Sequence, residues 1–325
     1  MSTRYRLIEL LADGKFHSGE WLGRQLGISR AAVWKHIRVF SEFGLDVHAV
    51  PGQGYRLSAA FQPLSEDLIR LPLSSFANSR LDKLEVLREI DSTNDFLMRT
   101  KSQHKAHLIR ACAAEWQSSG RGRRGRRWVS PYGTSLYLSL ATQISKASLQ
   151  SGGLSLAAAV AVLRVLQGGE IDGLGVKWPN DIFYQGRKLA GILLDISGES
   201  GGPFYVVLGI GINLKISESA AQEIDQPWAD LSQCGVNVDR NHLAGMILET
   251  LVSAIDCFGK NGLEAFIQEW NQFDVISGRA VELHYDKEHM ITGIARGIDA
   301  SGALLIEKNG VTSRFDAGEV SVRFT

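Results

Sequence analysis

Five arginines and three glycines interleave in Gly120-Arg121-Gly122-Arg123-Arg124-Gly125-Arg126-Arg127, between Glu115-Trp116-Gln117-Ser118-Ser119 and Trp128, with no apolar periodicity. Glycine lets backbone N–H groups approach a ligand, and guanidinium groups bind phosphate or carboxylate through paired hydrogen bonds. Each charge-assisted bond contributes roughly 1.5–3 kcal/mol net, so several converging on one anion offset the entropy of ordering a loop. A basic nucleic-acid patch or a disordered tail would share this composition. A tail, however, is not normally embedded between apolar segments and followed by Trp128-Val129-Ser130-Pro131. The pattern favours a loop that binds a small anion.

Two later segments add cations and oxygens: Val176-Lys177-Trp178-Pro179-Asn180-Asp181 and Arg187-Lys188-Leu189-Ala190-Gly191-Ile192-Leu193. Lys177 and Lys188 can neutralise phosphates, while Asn180 and Asp181 offer oxygen to Mg²⁺ or a ribose. Neither segment decides the chemistry by itself, because a lysine beside a tryptophan or ahead of a buried strand is ordinarily a solvated cation. Gly198-Glu199-Ser200-Gly201-Gly202 fits G-x-S-x-G, but that motif needs a helix after its turn. Here Phe204–Ile210 reads as a strand, which puts Ser200 in a hairpin loop. Gly209-Ile210-Gly211 lacks the third glycine of a dinucleotide turn, since position 214 is Leu214. Cys112, Cys234 and Cys257 are scattered, and His36, His48, His104, His107, His242, His284 and His289 form no metal-ligand spacing. Reduced thiols, no protein-held metal and a cytoplasmic location are expected.

Elements must bring these groups together. Residues 1–60 carry eight Lys/Arg against five Asp/Glu, a balance of +3 that leaves −3 for the remainder of a neutral chain. Leu7, Leu10 and Leu11 stripe a first helix; Ser18 caps a second bearing Leu22 and Leu26; Ser29 caps a third after Gly27. The third turns Val33, Ile37 and Phe40 to one side and Ala31, Lys35 and Arg38 to the other, with Arg30 and Trp34 on the flanks. Small and basic outward residues suit a helix in a DNA major groove. A three-helix bundle for protein contacts would share the pattern. Asp46–Val50 and Tyr55–Leu57 can pair across Pro51-Gly52-Gln53-Gly54, so the segment resembles a winged helix-turn-helix. A linker is expected over Ser58–Glu66.

Between 67 and 270, helices are expected at Leu154–Leu166, behind Gly152-Gly153, and at Leu243–Phe258 and Leu263–Phe273. Leu189–Ile196 and Tyr205–Ile212 read as adjacent antiparallel strands. Short alternating runs at Ala280–Tyr285, Ile291–Ile298 and Ala303–Lys308 predict a small β-barrel docked on the central domain. No uninterrupted apolar run is long enough for a bilayer, so no membrane partner is expected.

Asp91-Ser92-Thr93-Asn94, the Gly120–Gly125 run, Lys177–Asp181, Arg187–Leu193 and Gly209-Ile210-Gly211-Ile212-Asn213, in this order and spacing, resemble the biotin–protein ligases. With the helix-turn-helix in front, the whole chain is similar to the bifunctional bacterial form that also represses the biotin operon. The resemblance implies an α+β protein. A winged helix-turn-helix would occupy 1–62, a mixed α/β domain of the biotin/lipoate-ligase type 63–272, and an SH3-like β-barrel 273–325. It further implies that biotin and ATP, with Mg²⁺, give biotinyl-5′-AMP, from which a lysine of the biotin carboxyl carrier protein displaces AMP. No Walker-A motif is present, so ATP must be held differently.

By position in the family's motifs, Ser92, Thr93, Asn94 and Gln117 should hold the biotin head. Arg121-Gly122-Arg123 should order over the ligand. Arg123 and Lys188 are the expected catalytic cations, and Gly209, Gly211 and Ile212 should line the apolar slot. Arg126, Trp128, Lys177, Asn180, Asp181 and Asn213 should face the nucleotide, with Trp128 against adenine. Arg30, Ala31, Trp34, Lys35 and Arg38 should meet operator DNA as part of a ligand-promoted homodimer. A lipoate–protein ligase and a ligand-sensing transcription factor without ligase activity remain alternatives.

Overall fold

The computed structural model describes residues 2–145, 153–169, 171–198, 203–236, 238–285, 290–318 and 320–324. Gly152, Ser200 and His289 lie outside them. Three helices open the chain: α1 (Thr3–Leu11), α2 (Gly19–Leu26) and α3 (Arg30–Ile37). The expected caps are in place. Ser18 Oγ accepts from Trp21 N at 3.1 Å and Ser29 Oγ from Ala32 N at 3.2 Å, each cap worth about 1 kcal/mol. Gly27 takes the left-handed conformation (φ 68°) that reverses the chain between α2 and α3. Strands β1 (Val47–Val50) and β2 (Gly54–Leu57) then pair antiparallel. Gly54 already pairs with Val50, so the turn spans only 51–53, one residue shorter than expected. Leu7, Leu11, Leu22, Val33, Phe40 and Leu57 close the small core.

That core has borrowed a residue from the central domain. Tyr132 is fully buried within it, stacking on Tyr5 at 6.2 Å and meeting Phe43 and Phe61 edge-on. Trp116 lies 4.8 Å from the Phe43 ring, and Tyr132 N donates to Phe43 O at 2.8 Å. The expected linker is likewise tied down. Its last residue already belongs to α4 (Glu66–Arg70). Leu64 N donates to the Glu115 carboxylate at 2.5 Å, and Asn241 accepts from Ser65 N at 2.8 Å and donates to Pro63 O at 3.1 Å. Glu115 is in turn paired with Arg240 at 2.7 Å, both buried.

After α5 (Ser75–Arg80) come β3 (Leu81–Leu87), α6 (Thr93–Arg99), β4 (Ile109–Ala114), β5 (Ser135–Ile144), α7 (Leu154–Gln167), β6 (Leu174–Lys177), β7 (Asp181–Tyr184), β8 (Arg187–Ser197) and β9 (Phe204–Asn213). The strands form one sheet in the order β3-β4-β5-β9-β8-β7-β6, antiparallel except for β3 and β4, which α6 connects. β8 and β9 pair directly, with Ser197 opposite Tyr205, as the alternation of the sequence predicts. Helices α8 (Arg240–Asn261) and α9 (Glu264–Phe273) follow. α8 is long and apolar enough by composition to cross a bilayer, yet Leu243, Ile247, Leu251 and Phe258 are buried in the domain core.

The pleat of β9 divides the molecule's labour. Val206, Leu208, Ile210 and Ile212 enter the main core beside residues of α7 and α8. On the opposite face Tyr205 and Val207 pack under Leu97 of α6, and Gly209, Gly211 and Asn213 continue that face past the end of the helix. The last segment forms a five-stranded antiparallel sheet, β10 (Ala280–His284), β11 (Met290–Ile298), β12 (Leu304–Lys308), β13 (Val311–Phe315) and β14 (Ser321–Phe324), ordered β13-β12-β11-β10-β14. It is docked as predicted. Val281, Leu283, Leu304 and Ile306 join the main core, and Trp178 Nε1 donates to Gly302 O at 2.9 Å.

Candidate active site

Where α6 stops covering the sheet, a groove of about 270 Å³ opens over β5, β9, β8 and β7. Its floor is glycine for a steric reason. A Cβ at Gly209 would stand 2.2 Å from Asn94 Oδ1, and one at Gly211 would stand 2.6 Å from the Trp128 ring. Neighbouring strands present Ser139 beside Gly209 and Gly191 beside Gly211.

One end of the groove is a neutral hydrogen-bonding pocket. Ser92 caps α6, and Thr93 and Asn94 occupy its first turn. Gln117 Oε1 accepts from Thr93 N at 2.9 Å and from Thr93 Oγ1 at 3.2 Å, while its Nε2 donates to Ser130 Oγ at 3.1 Å. Ser139 Oγ lies 2.7 Å from Thr93 Oγ1 and donates to Asn94 Oδ1 at 2.6 Å. Such a polar cluster around a glycine slot suits a compact ligand with a few hydrogen-bonding groups.

The other end is cationic. Antiparallel register sets Lys177 opposite Asp181 and Asp181 opposite Gly191, and a bulge in β8 puts Lys188 on the same face. Lys188 Nζ lies 2.8 Å from Asp181 Oδ1 and 5.4 Å from the centre of the Trp128 ring. Burial pushes Lys177 down to about 8, against the attraction of Asp181 and with help from Lys188 and Arg126. Burial also lowers Arg123, partly opposed by Asp181; its Nη1 donates to Asn180 Oδ1 at 3.3 Å and its Nη2 to Ala317 O. Arg123, Arg126, Arg127, Lys177 and Lys188 line this end together with the carboxylates of Asp181, Asp225 and Glu223, the last paired with Arg127, which leaves a surplus of positive charge for an anion.

The arginine loop makes its contacts in three directions. Arg121 reaches Asp95 and Asp195, Arg124 donates to the backbone carbonyls of His284 and Tyr285, and Arg127 pairs with Glu223 at 2.8 Å. Arg124 itself adopts a left-handed backbone (φ 56°) before Gly125.

Of the residues singled out from the sequence, Ser92, Thr93, Asn94, Gln117, Arg121, Gly122 and Arg123 line this groove. So do Arg126, Trp128, Lys177, Asn180, Asp181, Lys188, Gly209 and Gly211. Ile212 is a correction: its side chain points into the helix-covered core, because alternate strand residues face opposite ways. Asn213 faces a smaller cavity of about 40 Å³ that shares Trp128 and Lys188 with the groove, and its Nδ2 donates to Ala229 O at 3.0 Å. Sequence reasoning missed Ser139, Asp195 and Trp228. Trp228 lines the smaller cavity on a segment strapped to β8 by Lys188 N→Pro227 O (3.0 Å) and Ala229 N→Lys188 O (2.8 Å). Alternation along β5 could have found Ser139; no local signal marks Trp228. Arg30, Ala31, Trp34 and Lys35 on α3 and Arg38 at its C-terminal cap all stand exposed, with the Arg38 guanidinium 4.8 Å over Trp34.

Residues 86–213 match the biotin/lipoate A/B protein ligase family, residues 3–56 an HTH domain, and residues 276–323 the biotin protein ligase C terminal domain. The chain is 42% identical to the bifunctional ligase/repressor BirA of Escherichia coli strain K12, over 98% of this chain and 96% of that protein. It is 34% identical to the biotin–[acetyl-CoA-carboxylase] ligase of Mycobacterium tuberculosis, over 79% of this chain and 95% of that one. Among solved structures, the biotin protein ligase of Aquifex aeolicus in complex with biotin and ATP superposes with a TM-score of 0.62 at 27% identity, covering 75% of this chain and all of that one.

Proposed function

This chain belongs to the biotin–protein ligase family, and on that premise we propose that the groove holds biotin at its neutral end and ATP at its cationic end. The reaction is adenylation of biotin and transfer of biotin to a lysine of the biotin carboxyl carrier protein of acetyl-CoA carboxylase. The observation that carries the assignment is the continuity of one glycine-floored slot from the Gln117–Thr93–Ser139 cluster to Lys188 and Arg123.

In the first step a biotin carboxylate oxygen attacks the α-phosphorus of ATP, the bond to the β-phosphate breaks, and pyrophosphate leaves. Two anions must approach each other, so preorganised cations lower the barrier most. Lys188 and Arg123 are assigned to the reacting carboxylate and α-phosphate, and Lys177 and Arg126 to the remaining phosphates. Trp128, with Asn213 and Trp228 behind it, is assigned to the adenosine. Asn180 and Asp181 are hard oxygen donors among these cations and suit Mg²⁺, which commonly takes one or two protein oxygens besides phosphate. When bound, the ion supplies further charge neutralisation. In the second step a lysine amine attacks the acyl carbon and AMP departs. The substrates of this reading place the protein in the cytoplasm.

The same chain is a repressor in this reading, with biotinyl-5′-AMP as corepressor and biotin operator DNA as target. Exposure of Arg30, Ala31, Trp34, Lys35 and Arg38 on one helix supports the DNA face. A homodimer formed when ligand orders the groove would set two such helices on a palindrome. Among the described residues no strand pairs with the β7-side edge of β8 beyond Ile192, and this edge, with Ile196 47% exposed, supports such an interface. We divide the chain at 1–62, 63–272 and 273–325 and read the last part as SH3-like.

The test is intact-mass analysis of a carrier domain incubated with the protein, MgATP, and biotin or lipoate. An ATP-dependent increase of one biotin is expected. A lipoyl increase would change the substrate, and no increase with either would leave a ligand-sensing regulator.

A further inference from the structure

Arg121 points away from the cationic end of the groove. Its Nη2 lies 2.6 Å from Asp95 Oδ1 and 2.7 Å from Asp195 Oδ2, and its Nε lies 3.1 Å from Asp95 Oδ2. Asp195 Oδ2 also accepts from Asn94 Nδ2 at 2.9 Å. Three elements thus converge on one guanidinium: the first turn of α6 through Asp95, the last part of β8 through Asp195, and the glycine-rich loop that carries Arg121. Burial works to lower the Arg121 pKa, but Asp195 and Asp95 outweigh it and hold the group above its usual value.

A partly exposed ion pair adds little to global stability. A paired arginine–carboxylate contact is nevertheless directional, and here it restrains a segment whose glycines otherwise leave it many conformations. Restraining a loop in its ligand-covering position lowers the ordering cost of each binding event and slows escape. We propose that Asp195, assisted by Asp95, is a positioning residue that latches the Gly120–Gly125 loop over the slot through Arg121, without touching substrate. This rests on the reading that the groove holds biotin and its adenylate. Arg121 accordingly acts through its side chain as the latch, while the backbone around Gly122 faces the ligand.

The experiment has two readouts on the full chain. Without ligand, trypsin should cut within the arginine loop about tenfold faster in Asp195→Asn than in the parent, the factor expected for losing one charge-assisted bond. With biotin and MgATP, release of the pre-formed adenylate should quicken by about the same factor. The rate of adenylate formation and the melting temperature should change little, and Asp195→Glu should restore the parent behaviour. Asp95→Asn, altered on a different element, should repeat the pattern more weakly. Unchanged trypsin cleavage in both variants overturns the latch whatever the ligand. Parent protein that forms no adenylate at all, while the variants are cut faster, overturns the ligase reading and leaves the latch as a feature of the loop.

Discussion

Lys188 and Asp181 meet at 2.8 Å between neighbouring strands, directly beneath the Trp128 ring. The pair fixes the ammonium before any substrate arrives, so its position owes nothing to the reaction it serves. Replacing Lys188 with Ala should reduce adenylation by about 10²–10³, the usual cost of removing one preorganised donor. Biotin affinity should change far less. Pyrophosphate exchange measures the first quantity and calorimetry the second; a variant near full rate removes Lys188 from the chemistry.

Gly209→Ala and Gly211→Ala test the slot. The added methyl would meet Asn94 Oδ1 at 2.2 Å or the Trp128 ring at 2.6 Å, and neither neighbour can move without disturbing the groove. Overpacking of this kind costs about 1–3 kcal/mol, so biotin should bind on the order of 10- to 100-fold more weakly. Gly259→Ala, on α8 with open space around it, should leave biotin affinity unchanged.

Lys177 gives the site a pH dependence. With its pKa held near 8 by burial, it loses charge between pH 7 and 9 where an ordinary lysine does not. ATP affinity should therefore fall by up to about tenfold over that range, and Lys177→Arg should flatten the profile. Stability moves the other way. The unfolded chain binds the extra proton between the folded value and the usual 10.5, so this group's contribution rises with pH across that window and is lost as pH falls through 8.

The Glu115–Arg240 pair is buried on both sides, and breaking it from one side strands a charge. Glu115→Ala should destabilise the fold by about 3–5 kcal/mol, read from denaturant unfolding. Because Glu115 also accepts from Leu64 N, proteolysis near residue 64 should quicken in the same variant.

DNA binding should carry the signature of phosphate contacts. Lys35→Ala and Arg38→Ala should each weaken binding across all sequences and reduce the slope of log affinity against log salt by about one. Unaltered slopes in both would move the DNA surface off this helix.

Much of this was legible in the sequence, and the failures have identifiable causes. Ser18 and Ser29 announce their helices because capping is local chemistry. The types of the loop arginines announce anion binding, but their destinations do not follow. Arg121 meets Asp195, and Arg124 meets Tyr285, far along the chain, and only the folded sheet brings them near. Ile212 was misassigned although the information was present: Gly209 and Gly211 share a face, so Ile212 had to share the other. Trp228 could not be found because what holds its segment is a pair of backbone hydrogen bonds to Lys188, which leave no trace in side-chain type.

Tyr132 and Trp116 give the aromatic seam between the helical head and the ligase a further meaning. Gln117 in the groove adjoins Trp116, and Trp128 lies four residues before Tyr132, so the two functions share a wall. A chain cut at residue 62 would bare Trp116 and Tyr132 to water and unseat the very segments that frame the pocket. The head is therefore not a detachable accessory. A substitution in any of these rings would disturb the seating of the head and the frame of the pocket together.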